Sequence, residues 1–93
     1  MRILVATYQV ELVNINSLKE KRSIIKKIIN DFRKKYNIAI VESDFNDSKK
    51  FFEITVVTLS QNRDFLLNFF EKLEDEIEYK YGLNLVISNY EII

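Results

Sequence analysis

The order of strand-like and helix-like segments constrains this chain more than any other feature of its sequence. A strand–helix–strand pattern occurs twice along the 93 residues, with no proline and a single glycine to interrupt it. We predict strands at residues 2–13, 38–43, 51–60 and 83–92, a first helix at residues 18–36, and a second helix that begins after Ser60 or Asn62 and ends before Gly82. Two right-handed crossovers with an antiparallel hairpin between them form a split βαβ arrangement.

Hydrophobic periodicity predicts how these elements pack. The first strand alternates, and its even-numbered positions from 4 to 12 form one wholly apolar face. The first helix has an apolar stripe within about 80–100° of its circumference, as a helix lying on a sheet requires. The stripe consists of Leu18, Ile25, Ile28, Ile29, Phe32 and Tyr36. We therefore predict an α+β fold: a ferredoxin-like βαββαβ sandwich of one domain, residues 1–93, with both helices on one face of a four-stranded antiparallel sheet of order 4-1-3-2.

Missing residue types narrow the chemistry that the chain can perform. Cysteine and histidine are both absent, which removes thiol nucleophiles, disulfides and the commonest general base and metal ligand. The acidic residues between positions 42 and 53 lie in and around a turn-rich segment without a recognisable ligand pattern. We therefore expect no enzymatic activity, no cofactor and no metal site. The absence of cysteine and of a long apolar run also favours a cytoplasmic protein that does not contact a membrane.

The net charge of zero conceals two poles of opposite sign. Residues 1–40 carry nine Lys and Arg against three Asp and Glu, a net of +6, and residues 41–93 carry five against eleven, a net of −6. Most of the positive excess falls on the first predicted helix, and much of the negative excess falls on the second. We interpret the acidic helix as a solubilising face and the basic helix as a candidate surface for an acidic partner.

The start of the first helix holds the one site-like motif of the chain. Ser17 can cap a free backbone N–H group, and Glu20, three residues later, can complete a capping box. Lys19, Lys21 and Arg22 follow at the end of the helix where the macrodipole disfavours positive charge. These cations must therefore be neutralised by carboxylates or used to hold an anion.

The same motif carries a resemblance to a known family. The segment Ser17–Arg22, the apolar and basic helix that follows it, Asn37, and Glu42 with Asp44 at the end of the next strand are similar to the YlxP-like family of small bacterial proteins. The resemblance covers nearly the whole chain and implies a ferredoxin-like fold and a translation-linked context. It implies no catalytic residues. In the hairpin this sequence departs from the family pattern, with Lys49 and Phe51 where an aromatic residue and an arginine are common.

Two interpretations of the basic residues remain open. In the first, a stripe of four cations along one flank of the helix holds phosphates of RNA or of the ribosome. The stripe consists of Lys19, Arg22, Lys26 and Arg33. In the second, Lys21 and Arg22 form structural ion pairs with Glu42, Asp44 or Glu11 and fasten the helix to the sheet. The remaining cations are then a solvated face.

The sheet face away from the helices is the second candidate surface. A stacking platform for RNA would place aromatic residues on the first and third strands, where this sequence has aliphatic residues, threonine and glutamate. The face is instead predicted to carry an apolar patch that favours self-association into a homo-oligomer. The candidates are Val5, Val57, Leu59, Val86 and Tyr90.

Two functions of different classes follow from these surfaces. The first is an RNA- or ribosome-associated accessory protein that is not catalytic and binds phosphates through the first helix. The second is a self-associating domain whose sheet-face interface binds a protein or a small ligand without RNA. Salt dependence separates them, because only phosphate binding releases counterions from the nucleic acid.

Overall fold

The computed structural model describes all residues, 1–93. It contains four strands and two helices. The elements are β1 (Arg2–Glu11), α1 (Leu18–Lys35), β2 (Ala39–Asp44), β3 (Phe51–Ser60), α2 (Arg63–Asp75), a π-helical turn (Glu76–Lys80) and β4 (Asn84–Ile92). The strands form one antiparallel sheet of order β2-β3-β1-β4. This is the predicted order 4-1-3-2 read from the opposite edge, so the predicted ferredoxin-like fold class is confirmed. None of the helices combines the length and the apolar character needed to cross a membrane.

The core lies between the sheet and the two helices, and the alternation of β1 builds its centre. The even-numbered side chains of β1 from Leu4 to Val10 are fully buried, as are Phe52, Ile54 and Val56 of β3. Burial of an apolar side chain of this size stabilises the fold by about 1.5–3 kcal/mol. The helices contribute Ile25, Ile28, Phe32, Leu66, Phe69, Phe70, Leu73 and, in the π-helical turn, Ile77.

Tyr8 carries the one polar group among the buried side chains of β1, and its hydroxyl has a partner. The Tyr8 hydroxyl donates a 3.0 Å hydrogen bond to the backbone carbonyl of Phe70, and the two rings stack with centroids 5.4 Å apart. Burial, reinforced by the negative charge of Glu74, raises the pKa of Tyr8 well above its usual value. The residue therefore stays neutral and fixes α2 over the middle of the sheet.

The second helical segment starts at one of the two predicted positions and ends before Gly82 as predicted, but its last turn is not α-helical. Asn62 is the N-cap, and its side-chain oxygen accepts a 3.2 Å hydrogen bond from the Phe65 N–H. The α-helical hydrogen bonding stops at Asp75, and one π-helical turn continues to Lys80. Gly82 then adopts a left-handed φ of 65°, as expected of a residue that ends a helix.

A β-bulge in β4 overturns part of the predicted sheet face. Val10 pairs with Leu85 and Gln9 pairs with Ile87, so Val86 is an extra residue without a partner on β1. One extra residue exchanges the faces of all side chains beyond it. The prediction that Tyr90 lies on the open face is therefore wrong: Tyr90 pairs with core-facing Ala6, and its ring centroid is 4.9 Å from that of Phe70.

Candidate functional site

The first turn of α1 uses its own side chains to satisfy its backbone. The Ser17 hydroxyl accepts a 3.1 Å hydrogen bond from the Glu20 N–H, and the Glu20 carboxylate accepts one of the same length from the Asn16 N–H. This arrangement differs from a strict capping box only in that the carboxylate reaches the residue before the cap. Lys19 is exposed at this end of the helix.

Lys21 is the only charged residue buried in the fold, with a relative exposure of 1%. Its Nζ donates hydrogen bonds of 2.5 Å to the carbonyls of Phe45 and Ser48, and it lies 3.7 Å from Glu42 Oε2. Phe45 has a left-handed φ of 64°, a conformation that few non-glycine residues adopt. Lys21 therefore ties α1 to both the end of β2 and the loop between β2 and β3.

Arg22 and Asp44 do not form the structural ion pairs that the sequence suggested for them. Arg22 is exposed and belongs to none of the four salt bridges. Asp44 Oδ1 instead accepts a 2.7 Å hydrogen bond from the Phe45 N–H. The reason is geometric: Lys21 already occupies the position that faces the sheet, and the next residue of a helix points about 100° away from it.

Three of the four predicted phosphate ligands line one groove. The groove lies between α1 and the outer edge of β2, has a volume of ≈ 510 Å³, and is lined by Arg22, Lys26 and Arg33 together with aliphatic residues of both elements. Arg33 Nη2 donates a 3.1 Å hydrogen bond to the Ile40 carbonyl of β2. Lys19 does not line this groove. We call this feature the basic groove.

The charge of the basic groove is not balanced locally. Its three cations form no salt bridge, and the one carboxylate in its wall, Glu42, lies beside Lys21. At 1.5 Å per residue, Arg22 and Lys26 are about 6 Å apart along the helix axis, and Lys26 and Arg33 about 10 Å. The groove therefore presents a row of three separated positive charges and not one localised charge.

The acidic second helix is only partly the solvated face that its sequence suggested. Glu74 accepts a hydrogen bond from the Ser88 hydroxyl, and Glu76 accepts hydrogen bonds from Lys35 Nζ and the Tyr36 hydroxyl. Burial opposes the charge of Glu76, but the bonds from Lys35 and Tyr36 more than offset it and hold its pKa below the usual value. Glu76 therefore links the end of α1 to the π-helical turn.

We expect Glu76→Gln to lower the free energy of unfolding at pH 7 by about 1 kcal/mol, since a charged acceptor is lost but Lys35 is half exposed. A depressed folded-state pKa contributes stability that is present above the unfolded pKa of about 4.3 and is lost as the pH falls through the folded value. The difference between variant and wild type in urea denaturation should therefore shrink at low pH. Glu78→Gln, at an exposed position of the same turn, is the control, and a difference that does not change with pH would contradict the prediction.

The open face of the sheet brings three of the five predicted interface residues together. Val5 pairs directly with Val57, and Leu59 pairs with Ile3. Ile3 was not among the predicted interface residues, and Val41 on β2 extends the same face. We call Ile3, Val5, Val41, Val57 and Leu59 the sheet-face patch. Tyr90, on the core side, does not belong to it, and Val86 lies in the bulge without a partner on β1.

A second cavity lies beyond the basic groove and was missed by sequence reasoning. It has a volume of ≈ 370 Å³ and lies where the end of α1, the residues just before β2, the end of β3 and α2 meet. The rings of Phe65 and Phe69 are parallel within 4°, with centroids 6.5 Å apart, and Tyr36 meets Phe69 edge-on at 5.0 Å. We call this feature the aromatic pocket. Its aromatic residues also belong to the apolar seams of the helices, so their spacing gives no sign that they line a cavity.

Comparison with known proteins places the chain beside an uncharacterised family. Residues 3–90 match the family model described as "Protein of unknown function (DUF503)". No curated protein matches the chain. Among solved structures, a variant of SnoaB, a cofactor-independent oxygenase from Streptomyces nogalater, aligns with 99% of this chain and 90% of its own, at 10% identity and a TM-score of 0.43. A putative antibiotic biosynthesis monooxygenase from Bacillus cereus aligns with 99% and 89%, at 10% identity and a TM-score of 0.42.

These structural neighbours correct one expectation. The missing histidine and cysteine led us to expect that the chain is not an enzyme, but both neighbours are named as oxygenases, one of them cofactor-independent. We therefore withdraw that expectation. Likeness at 10% identity and TM-scores below 0.5 assigns no activity to this chain.

Proposed function

We propose that this chain, which belongs to the DUF503 family of proteins of unknown function, binds the phosphate backbone of RNA through the basic groove. The observation that carries the proposal is the row of Arg22, Lys26 and Arg33, which line one groove and form no salt bridge. Binding of a polyphosphate chain to such a row releases condensed counterions, which is the main source of affinity for nucleic-acid backbones.

The length of the row favours a polymer over a single phosphate. Arg22 and Arg33 are separated by eleven residues, or about 16 Å along the helix axis, so one phosphate cannot contact both. Arginine also offers five N–H donors in a planar fork that fits phosphate oxygens. The resemblance to the YlxP-like family, with its translation-linked context, agrees with RNA or the ribosome as the partner.

The test neutralises two cations that the fold does not need. Arg22→Gln with Lys26→Gln should weaken binding to structured RNA and flatten the slope of log affinity against log salt by roughly 1–2 units, about one for each phosphate that the variant no longer neutralises. Both residues are exposed, so circular dichroism and the denaturation midpoint should not change. Arg33 is left intact because it bonds to β2.

Lys34→Gln with Lys49→Gln is the matched control. It removes the same charge from two exposed lysines that do not line the groove and form no salt bridge. The proposal fails if the wild-type protein has no affinity for RNA at low salt, or if the groove variant and the control variant bind equally well.

The sheet-face patch supports a second candidate function, self-association. Leu59 is 59% exposed and Val41 is 56% exposed, and these side chains adjoin the Val5–Val57 pair on a face that no helix covers. A wild-type protein that binds no RNA, but whose light scattering changes from oligomer to monomer on Val57→Lys substitution, would favour this function over the first.

A further inference from the structure

We infer that the aromatic pocket accepts one nucleobase together with its attached phosphate, as the end point of an RNA strand that follows the basic groove. This inference rests on the proposed function and adds to it a base-binding site separate from the phosphate-binding row. Four features of the pocket carry it: an exposed aromatic wall, a cation without an acidic partner, two asparagine residues in the lining, and a position next to the end of the groove.

The aromatic wall is suited to stacking. Phe65 is 56% exposed although it is a large apolar ring. It lies parallel to Phe69, and both residues line the cavity. Every nucleobase has a flat π-face, and such faces stack on aromatic side chains without regard to sequence. A base in the cavity would cover Phe65 and extend the stack by one ring.

The polar groups of the pocket match the rest of a nucleotide. Lys35 and Lys72 both lie over the Tyr36 ring, with Nζ at 5.3 and 5.4 Å from its centroid. Lys35 is paired with Glu76, whereas Lys72 forms no salt bridge and is therefore the cation available to a phosphate. Asn37 and Asn68 also line the cavity, and an asparagine amide can both donate to and accept from the edge of a base.

The position of the pocket connects it to the basic groove. Arg33 is the last cation of the groove, and Tyr36, which lines the pocket, follows three residues later. Residues three apart are neighbours on a helix surface, so the two cavities meet the same side of the end of α1. On β2 and the residues before it, Ile40 lines the groove and Ile38 lines the pocket. A strand whose phosphates contact Arg22, Lys26 and Arg33 is thus directed to the mouth of the cavity.

The test uses a single-stranded RNA of about ten nucleotides, within the range of site sizes for such proteins, that carries one fluorescent adenine analogue. Stacking of the analogue in the pocket should quench its fluorescence on binding. Phe65→Ala should abolish the quenching and lower the affinity by roughly 5- to 150-fold, the range measured for loss of one stacked base. The slope of log affinity against log salt should stay unchanged, because every cation that faces a phosphate is still present. Tyr79→Ala is the control, since Tyr79 is 81% exposed and does not line the pocket.

The outcomes separate this inference from the proposed function. Suppose that wild-type protein binds the RNA with a steep salt dependence, but Phe65→Ala binds and quenches as wild type does. The pocket is then refuted as a base-binding site, and the proposal that the groove binds phosphates stands. If wild-type protein binds no RNA, the groove is refuted, and adenosine monophosphate is titrated while the side-chain amide signals of Asn37 and Asn68 are followed by NMR. Shifts that disappear in Phe65→Ala would then support the pocket as a site for a free nucleotide, and an absence of shifts would refute it.

Discussion

Lys21→Met should lower the free energy of unfolding by about 3–5 kcal/mol, the range for removal of one partner from a buried ion pair. Methionine keeps most of the apolar stem, so the loss would come from the ammonium group. Without it, the carbonyls of Phe45 and Ser48 lose a common donor, and the Glu42 carboxylate loses its nearby positive charge. Since small domains are stable by only about 5–15 kcal/mol, urea denaturation should show a large shift of the midpoint.

Two companion variants identify the origin of this loss. Glu42 Oε2 is buried and has no hydrogen-bond partner, so Glu42→Gln should recover part of the stability when it is added to Lys21→Met, because the orphaned charge is removed. Arg22→Ala, one residue along the same helix and exposed, should change the stability by no more than about 0.5 kcal/mol. Equal losses for Lys21→Met and Arg22→Ala would refute the assignment of the tie to Lys21.

Phe32→Ala is the second substitution with a large expected effect, a loss of about 3–5 kcal/mol. Phe32 is 1% exposed, and its ring meets those of Tyr36 and Tyr81 edge-on, with both centroid distances at 6.0 Å. Truncation would leave a cavity between α1 and the end of the π-helical turn, which cannot collapse without moving both. Thermal and urea denaturation of the variant would measure the loss.

Phe65→Ala provides a matched control for Phe32→Ala because the same atoms are removed from an exposed ring. We expect that control to lose only about 1 kcal/mol, since more than half of the Phe65 side chain stays in water on folding. If both variants lost a similar amount of unfolding free energy, the packing of Phe32 between the helices would contribute no more to stability than a surface contact does. The control also establishes that the RNA-binding test of Phe65→Ala measures binding and not unfolding.

Periodicity predicted the fold because the alternation of β1 and the apolar stripes of the helices are local patterns that only one layered arrangement can bury. The burial of Lys21 could not be predicted in this way. A lysine enters a core only when carbonyl groups satisfy its ammonium, and here they come from residues 24 and 27 positions further along the chain.

The features that escaped prediction depend on register or on several elements at once. The bulge at Val86 is one unpaired residue with no sequence signature here, since neither glycine nor proline marks it. It reverses the side of Tyr90 and removes that residue from the open face. The aromatic pocket is formed by four segments, so no pattern within any one of them predicts it. The cations of the basic groove could be predicted as a row because they repeat along a single helix.

The hydrogen bond from Arg33 to the Ile40 carbonyl also has a consequence for the protein in concentrated solution. β2 ends the sheet on one side, and such a strand is a template on which another molecule can add a strand and start a fibre. The guanidinium occupies one of the acceptors that an incoming strand would need, and its charge repels the same side chain of an approaching copy. We therefore expect Arg33 to hinder fibril growth, an effect on the behaviour of the protein in concentrated solution and not on the stability of the single molecule.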